Sequence, residues 1–125
     1  MEATLEVVSK SQVEDLYLRY AECICDGALE QWPEFFSDQC LYKVISRANY
    51  DRGLPLAPIF SESRGALADR VLALRNTMVY APRSVIHNVT GIRVTERTKS
   101  SVKSRSMISV YQTLLADGSS HLLLI

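Results

Sequence analysis

Two histidines, His87 and His121, and three cysteines, Cys23, Cys25 and Cys40, are the soft metal donors of this chain. Their spacing builds no chelate. No Cys-x-x-Cys occurs, and Cys23-Ile24-Cys25 lies in a helical pattern. There successive side chains point about 100° apart, so the two thiols cannot easily share one ion. An iron–sulfur centre held by two Cys and two His needs paired Cys-x-His elements, and the sequence has none. A two-His-one-carboxylate iron site would need both histidines, and His121 falls on a late strand without a partner signal. A glycine-rich phosphate loop, a Gly-x-Ser-x-Gly elbow and an internal repeat are also absent from the sequence. Asn88-Val89-Thr90 fits a glycosylation sequon, which has meaning only in an exported chain.

Composition narrows the class further. With 125 residues, 47% apolar and 22% charged, the chain is expected to form one domain, 1–125, with a core that needs neither disulfide nor metal. Fourteen acidic and fourteen basic residues cancel, which leaves no net field to attract nucleic acid or an anionic membrane. The apolar runs are much shorter than the roughly 20 residues a bilayer requires. The start, Met-Glu-Ala-Thr-Leu-Glu, does not read as a signal peptide, so the expected compartment is the cytoplasm and the cysteines are expected to be free.

Periodicity supplies the elements that would position any site. Ser11-x-x-Glu14 reads as a capping box, followed by Leu16, Tyr20 and Ile24 at four-residue spacing with Val13 and Tyr17 beside them. This predicts a helix to about Asp26, closed by Gly27. A short helix over 28–36 is expected to carry Trp32, Phe35 and Phe36 back onto the first, with Pro33 tolerated in its first turn. Residues 40–46 read as a strand, and 49–59 as a loop or irregular edge strand. Ser61 or Ser63 then caps a third helix, with Leu67, Val71 and Leu74 in one stripe, Leu72 beside it, and Glu62, Arg64, Asp69 and Arg70 exposed. From Ser84 the period becomes two. Val85, His87 and Val89 share a face, Ile92 and Val94 have the opposite parity, and a bulge at Gly91 reconciles them. A polar connection over 95–102, a strand over 107–115, an Asp117-Gly118 turn and a strand over 121–125 complete an antiparallel meander. Helices first and strands last indicate an α+β fold. The closing Leu-Leu-Leu-Ile is expected to lie inside a sheet, which suggests a truncated C-terminal end.

This order, with Tyr20-Ala21 near the first helix end and a strand histidine after the third helix, resembles the cystatin-like, nuclear-transport-factor-2-like cone. In that fold helices pack on a curved, mostly antiparallel sheet, here lacking its last strand. More specific are Gly53-Leu54-Pro55-Leu56-Ala57-Pro58-Ile59, Glu62-Ser63-Arg64-Gly65, Asp69-Arg70-Val71, Tyr80-Ala81-Pro82-Arg83 and His87. These resemble the small (beta) subunit of Rieske-type aromatic-ring-hydroxylating oxygenases, in particular those of salicylate- and anthranilate-like acids. The resemblance implies a mainly structural subunit, with no catalytic residue, cofactor or metal of its own, serving aromatic compound catabolism. The Rieske [2Fe–2S] cluster and mononuclear iron would belong to a catalytic large (alpha) subunit, in an alpha-three beta-three hexamer that includes a trimer of this chain.

Cone-fold dehydratases and isomerases suggest an alternative. Asp26 and His87 resemble the positions of their acid–base pair, with Tyr20 nearby. A buried Asp would orient the imidazole, which shuttles the proton while Tyr20 polarises a carbonyl. The structural reading takes precedence, because a histidine between two valines and a tyrosine at a buried helical spacing more often serve packing. A third reading is a module that holds a small apolar ligand in the cone. The segment 50–64 carries more apolar side chains than a monomer's loop needs, which makes Leu54, Leu56, Ile59 and Phe60 interface candidates. Arg64, Asp69, Arg70 and Arg83 would supply polar contacts around them. Arg93, Arg97, Lys99, Lys103 and Arg105, with Glu96 among them, read as the solvated face of a hairpin rather than a nucleic-acid stripe.

Overall fold

The Ser9 hydroxyl accepts from the Gln12 backbone N–H at 3.2 Å, and the Gln12 side chain returns the bond to the Ser9 backbone at 2.8 Å. This capping box starts helix α1, Lys10–Cys25, two residues earlier than the Ser11–Glu14 box predicted. Both pairs fit the pattern locally, and the earlier one adds two residues, about half a turn, to the helix. Helix α1 ends at Asp26, followed by Gly27 at φ +72°. The computed structural model describes residues 8–54, 59–78 and 83–124. The chain divides into two compact units, Met1–Ala28 with Ala81–Ile125, and Leu29–Tyr80.

In the first unit α1 packs on a three-stranded antiparallel sheet of β3 (Arg83–Arg97), β4 (Val102–Leu114) and β5 (Ser120–Leu124), in that spatial order. Val13 and Ala21 of α1 are buried, Tyr17, Tyr20 and Ile24 are half-buried, and the Tyr17 hydroxyl meets the Ser104 hydroxyl of β4 at 2.8 Å. Leu16, expected in the buried stripe, is exposed: the face centred on Val13, Tyr17 and Ile24 lies toward the sheet instead. Along β3 the inward positions are Val85, His87 and Val89, then Ile92 and Val94. The parity reverses at Gly91, where φ is +63° and the pairing with β4 slips between Thr90 and Arg93. That is the bulge read from the sequence. Strand pairing runs further into the hairpin than expected, to Arg97↔Val102. The Asp117 carboxylate accepts from the Ser119 N–H at 2.9 Å, and Gly118 takes φ +71° in the turn to β5.

The second unit holds a 3₁₀ helix, Leu29–Phe35, strand β1 (Gln39–Val44), a five-residue helix α2 (Arg47–Asp51), strand β2 (Ile59–Ser63) and helix α3 (Arg64–Met78). β1 and β2 form a two-stranded antiparallel sheet. Pro33 sits mid-helix rather than in a first turn. Its missing N–H and its clash with the carbonyl four residues back exclude the α form, and the tighter helix results. Ser46 caps α2 inside the segment expected to be loop, and an Arg47–Asp51 ion pair at 3.0 Å spans that helix. Ser63 caps α3, accepting from the Ala66 N–H at 3.1 Å. Leu67 and Val71 are buried at 0% and 3% exposure, whereas Leu72 and Leu74 are exposed. Trp32, Phe36 and Tyr42 form a triangle of edge-to-face rings with centroids 5.2–5.9 Å apart. In both units the predicted α+β character, with open antiparallel sheets, is what the structure shows.

Candidate functional site

The acid–base candidates all lie in the first unit. His87 is at an inward position of β3, and its ring meets that of Tyr20 from α1, centroid to centroid 5.7 Å and tilted by 56°. Its backbone N–H donates to the Cys25 Sγ at 3.4 Å. Its Nε2 is buried and has no hydrogen-bond partner among the described residues. Burial holds the imidazole below its ordinary pKa and favours the neutral ring.

Asp26 stands elsewhere. As the C-cap of α1 its backbone N–H bonds to the Glu22 carbonyl at 2.8 Å, and its side chain is exposed. No hydrogen bond or ion pair joins it to His87 among the described residues. Instead its charge reaches Cys23, whose thiol is pushed up by burial first and by the Asp26 carboxylate second. The Cys23 thiol donates to the Ala28 carbonyl at 3.1 Å. The alternative dyad of Asp26 and His87 with Tyr20 is therefore corrected: Tyr20 and His87 meet, and the carboxylate does not join them. A general base needs its proton partner at roughly 2.6–3.2 Å, and an imidazole without an orienting carboxylate lacks that relay. A packed aromatic pair is what this arrangement provides.

The interface candidates divide between the units. Leu54 and Phe60 are exposed at 41% and 52%, Ile59 is half-buried, and Leu56 lies outside the described residues. Asp69 is exposed and Arg70 half-buried on α3. Arg64 is committed within its own unit: Nε and Nη2 donate to the Phe36 carbonyl at 2.9 and 2.6 Å, and Nη1 pairs with Asp38 at 2.8 Å. It clamps the start of α3 to the end of the 3₁₀ segment, and its side chain keeps 39% exposure. Arg83, in the other unit, donates to Gln112 Oε1 across β3 and β4 at 3.0 Å. Sequence reasoning passed over Leu41, exposed at 60% on the same outward side of the small sheet as Phe60. The outward row Ile86, Tyr111 and Leu122 across β3, β4 and β5 was also missed. Strand alternation held that signal, since Ile86 and Tyr111 are out of phase with the inward His87 and Val110.

No protein-family model matches the chain. It is 30% identical over 104 residues to the terephthalate 1,2-dioxygenase terminal oxygenase component subunit beta 2 of a Comamonas species, covering 82% of this chain and 68% of that protein. It is also 30% identical over 95 residues to the anthranilate 1,2-dioxygenase small subunit of Burkholderia cepacia, covering 76% of this chain and 59% of that subunit. Among solved structures, a Novosphingobium aromaticivorans chain described as the beta subunit of an aromatic-ring-hydroxylating dioxygenase superposes with a TM-score of 0.80 at 37% identity. That match covers 90% of this chain and 71% of the other. The benzoate 1,2-dioxygenase beta subunit of Burkholderia mallei shares the fold, with a TM-score of 0.61 at 15% identity over 98% of this chain and 89% of that one. With the fold shared at a TM-score of 0.80 and identity sustained over most of its length, the chain belongs to the small (beta) subunits of aromatic-ring-hydroxylating dioxygenases.

Proposed function

We propose that this chain is the non-catalytic small subunit of a multicomponent Rieske non-haem iron oxygenase that hydroxylates an aromatic acid in the cytoplasm. In this reading residues 1–125 fold as one domain, and the chain assembles with a catalytic large subunit as an alpha-three beta-three hexamer containing a trimer of this chain. The observation that carries the reading is the sustained identity to beta subunits, 30% over 82% of the chain and 37% over 90%. The aromatic-acid class follows from the relatives named for anthranilate and terephthalate.

The chain's donors do not fit either iron centre. Cys23 spends its thiol proton on Ala28 and Cys25 receives the His87 N–H. No group of three His, Cys, Asp or Glu side chains among the described residues is arranged to hold an ion. In this reading the cluster and the mononuclear iron belong to the large subunit, and oxygen chemistry with them.

Co-expression with a large subunit from the same organism, purified through a tag on this chain, tests the reading by mass and bound iron. A multi-subunit particle containing iron is expected. An iron-free small oligomer, with the large subunit present and soluble, would overturn it. One cooperative thermal transition is expected of the single domain, and two separate transitions would refute that part.

A further inference from the structure

Beyond the bulge at Gly91, the hairpin sets two like charges face to face. Arg93 of β3 and Arg105 of β4 are direct cross-strand partners, and both are exposed. Of the neighbouring cations, Lys103 pairs with Glu96 at 3.3 Å and Arg97 donates to the Val8 carbonyl. Among the described residues the side chains of Arg93 and Arg105 make neither a hydrogen bond nor an ion pair. Like charges directly opposite on one sheet face oppose strand pairing. Among the described residues no anion pairs with either arginine to offset this cost.

Arg93 and Arg105 line a groove of about 230 Å³ together with Gly91, Ser106 and Met107. Glycine is favoured there on two grounds. The backbone is left-handed, and a Cβ on Gly91 would lie 2.7 Å from the Met107 Cε. The groove is smaller than the roughly 300–1,000 Å³ that encloses a drug-sized molecule, yet large enough for a carboxylate side chain. On the same face lie Met107, exposed at 67%, and the row Ile86, Tyr111 and Leu122 at 51%, 41% and 46%. Paired cations beside exposed apolar side chains make a protein-docking surface rather than a pocket for a free anion.

We propose that the Arg93–Arg105 groove receives an acidic side chain of the large subunit, an Asp or Glu flanked by apolar residues that cover Met107 and the Ile86–Tyr111–Leu122 row. The proposal rests on the subunit reading above. A carboxylate accepting from both guanidiniums would relieve their repulsion, and planar forked donors suit that geometry. A second copy laid face to face on this patch would bring four guanidiniums together, which argues against a two-fold pairing of this chain through it.

The test compares the chain with Arg93→Ala, Arg105→Ala and the double variant, each titrated against purified large subunit at two salt concentrations and melted alone. Each single substitution is expected to weaken assembly about tenfold, and the double variant is expected to lose most of the salt dependence. The free variants are expected to melt at or above the parent temperature. Parent-like affinity of the double variant would overturn the proposal while leaving the subunit reading intact. Failure of the parent chain to bind the large subunit would overturn the subunit reading and this inference with it. Melting of the free double variant well below the parent would show that the arginines hold the fold, and would also overturn it. Raised melting of the parent in sodium benzoate relative to sodium chloride, absent in the double variant, would assign the groove to a small acid instead.

Discussion

Replacing Gly91 by alanine tests whether the bulge is as demanding as its geometry implies. At φ +63° an L-residue costs about 1–2 kcal/mol relative to glycine, through contact of its Cβ with the following carbonyl. Reduced freedom of the unfolded chain returns about 0.4–1 kcal/mol of this. The new methyl also meets the Met107 Cε at 2.7 Å. Met107 is 67% exposed and can turn away, at about 0.5–1 kcal/mol for a strained side-chain torsion. The net expectation is a loss of about 1–2 kcal/mol, read as a thermal midpoint lowered by about 4–8 °C. Gly118→Ala is the control, because φ there is +71° and nothing lies within 4 Å of the added carbon. It keeps the backbone cost without the clash, so it is expected to lose about 0.5–1 kcal/mol. Repeating Gly91→Ala in a Met107→Ala background is expected to remove the difference between the two glycines. Chemical and thermal unfolding of the parent, Gly91→Ala, Gly118→Ala, Met107→Ala and the Gly91→Ala, Met107→Ala double variant would measure each step. A Gly91→Ala protein as stable as the parent would refute the reasoning, as would a gap between the glycines that persists without Met107.

The remaining predictions concern the clamp and the two shifted groups. Arg64→Ala is expected to destabilise by about 1–3 kcal/mol through the lost fork on the Phe36 carbonyl. Asp38→Ala, which removes an 89% exposed partner of the same arginine, should cost under about 1 kcal/mol, both by urea unfolding. The Arg75 guanidinium, donating to both oxygens of Glu30 at 2.7 Å, holds that carboxyl down at about 2. This stabilisation is complete above the ordinary 4.5 and is lost as pH falls toward 2. Arg75→Gln should return Glu30 toward 4.5 in a carboxyl NMR titration. Burial lowers the His87 pKa, so the unfolded chain takes up the proton first as pH falls below its ordinary 6.5. Stability should be full above 6.5 and decline below it, and His87→Phe should flatten the thermal midpoint between pH 5 and 7.

Local pattern determined a large part of this protein. The parity change from Val85, His87 and Val89 to Ile92 and Val94 required a bulge, and Gly91 was the residue able to adopt it. Likewise the Leu67–Val71 stripe, the Gly27 stop and the Asp117-Gly118 turn needed only short-range sterics and burial to be read. Where two local solutions were nearly equal, tertiary structure chose between them. Ser9–Gln12 and Ser11–Glu14 both spell a capping box, and Leu16 lost its place because the sheet took the face beside it. A five-residue helix such as Arg47–Asp51 is too short for periodicity to register.

The site depended on contacts that no local pattern contains. Whether Asp26 meets His87, whether Arg64 is free or clamped, and whether Arg93 faces Arg105 each turn on pairings across 61, 28 and 12 positions. Spacing along the chain fixes which face a side chain occupies, because that follows from the backbone repeat. Which groups meet across faces is set by strand register and helix placement, and those minimise the free energy of the whole core rather than that of any one segment.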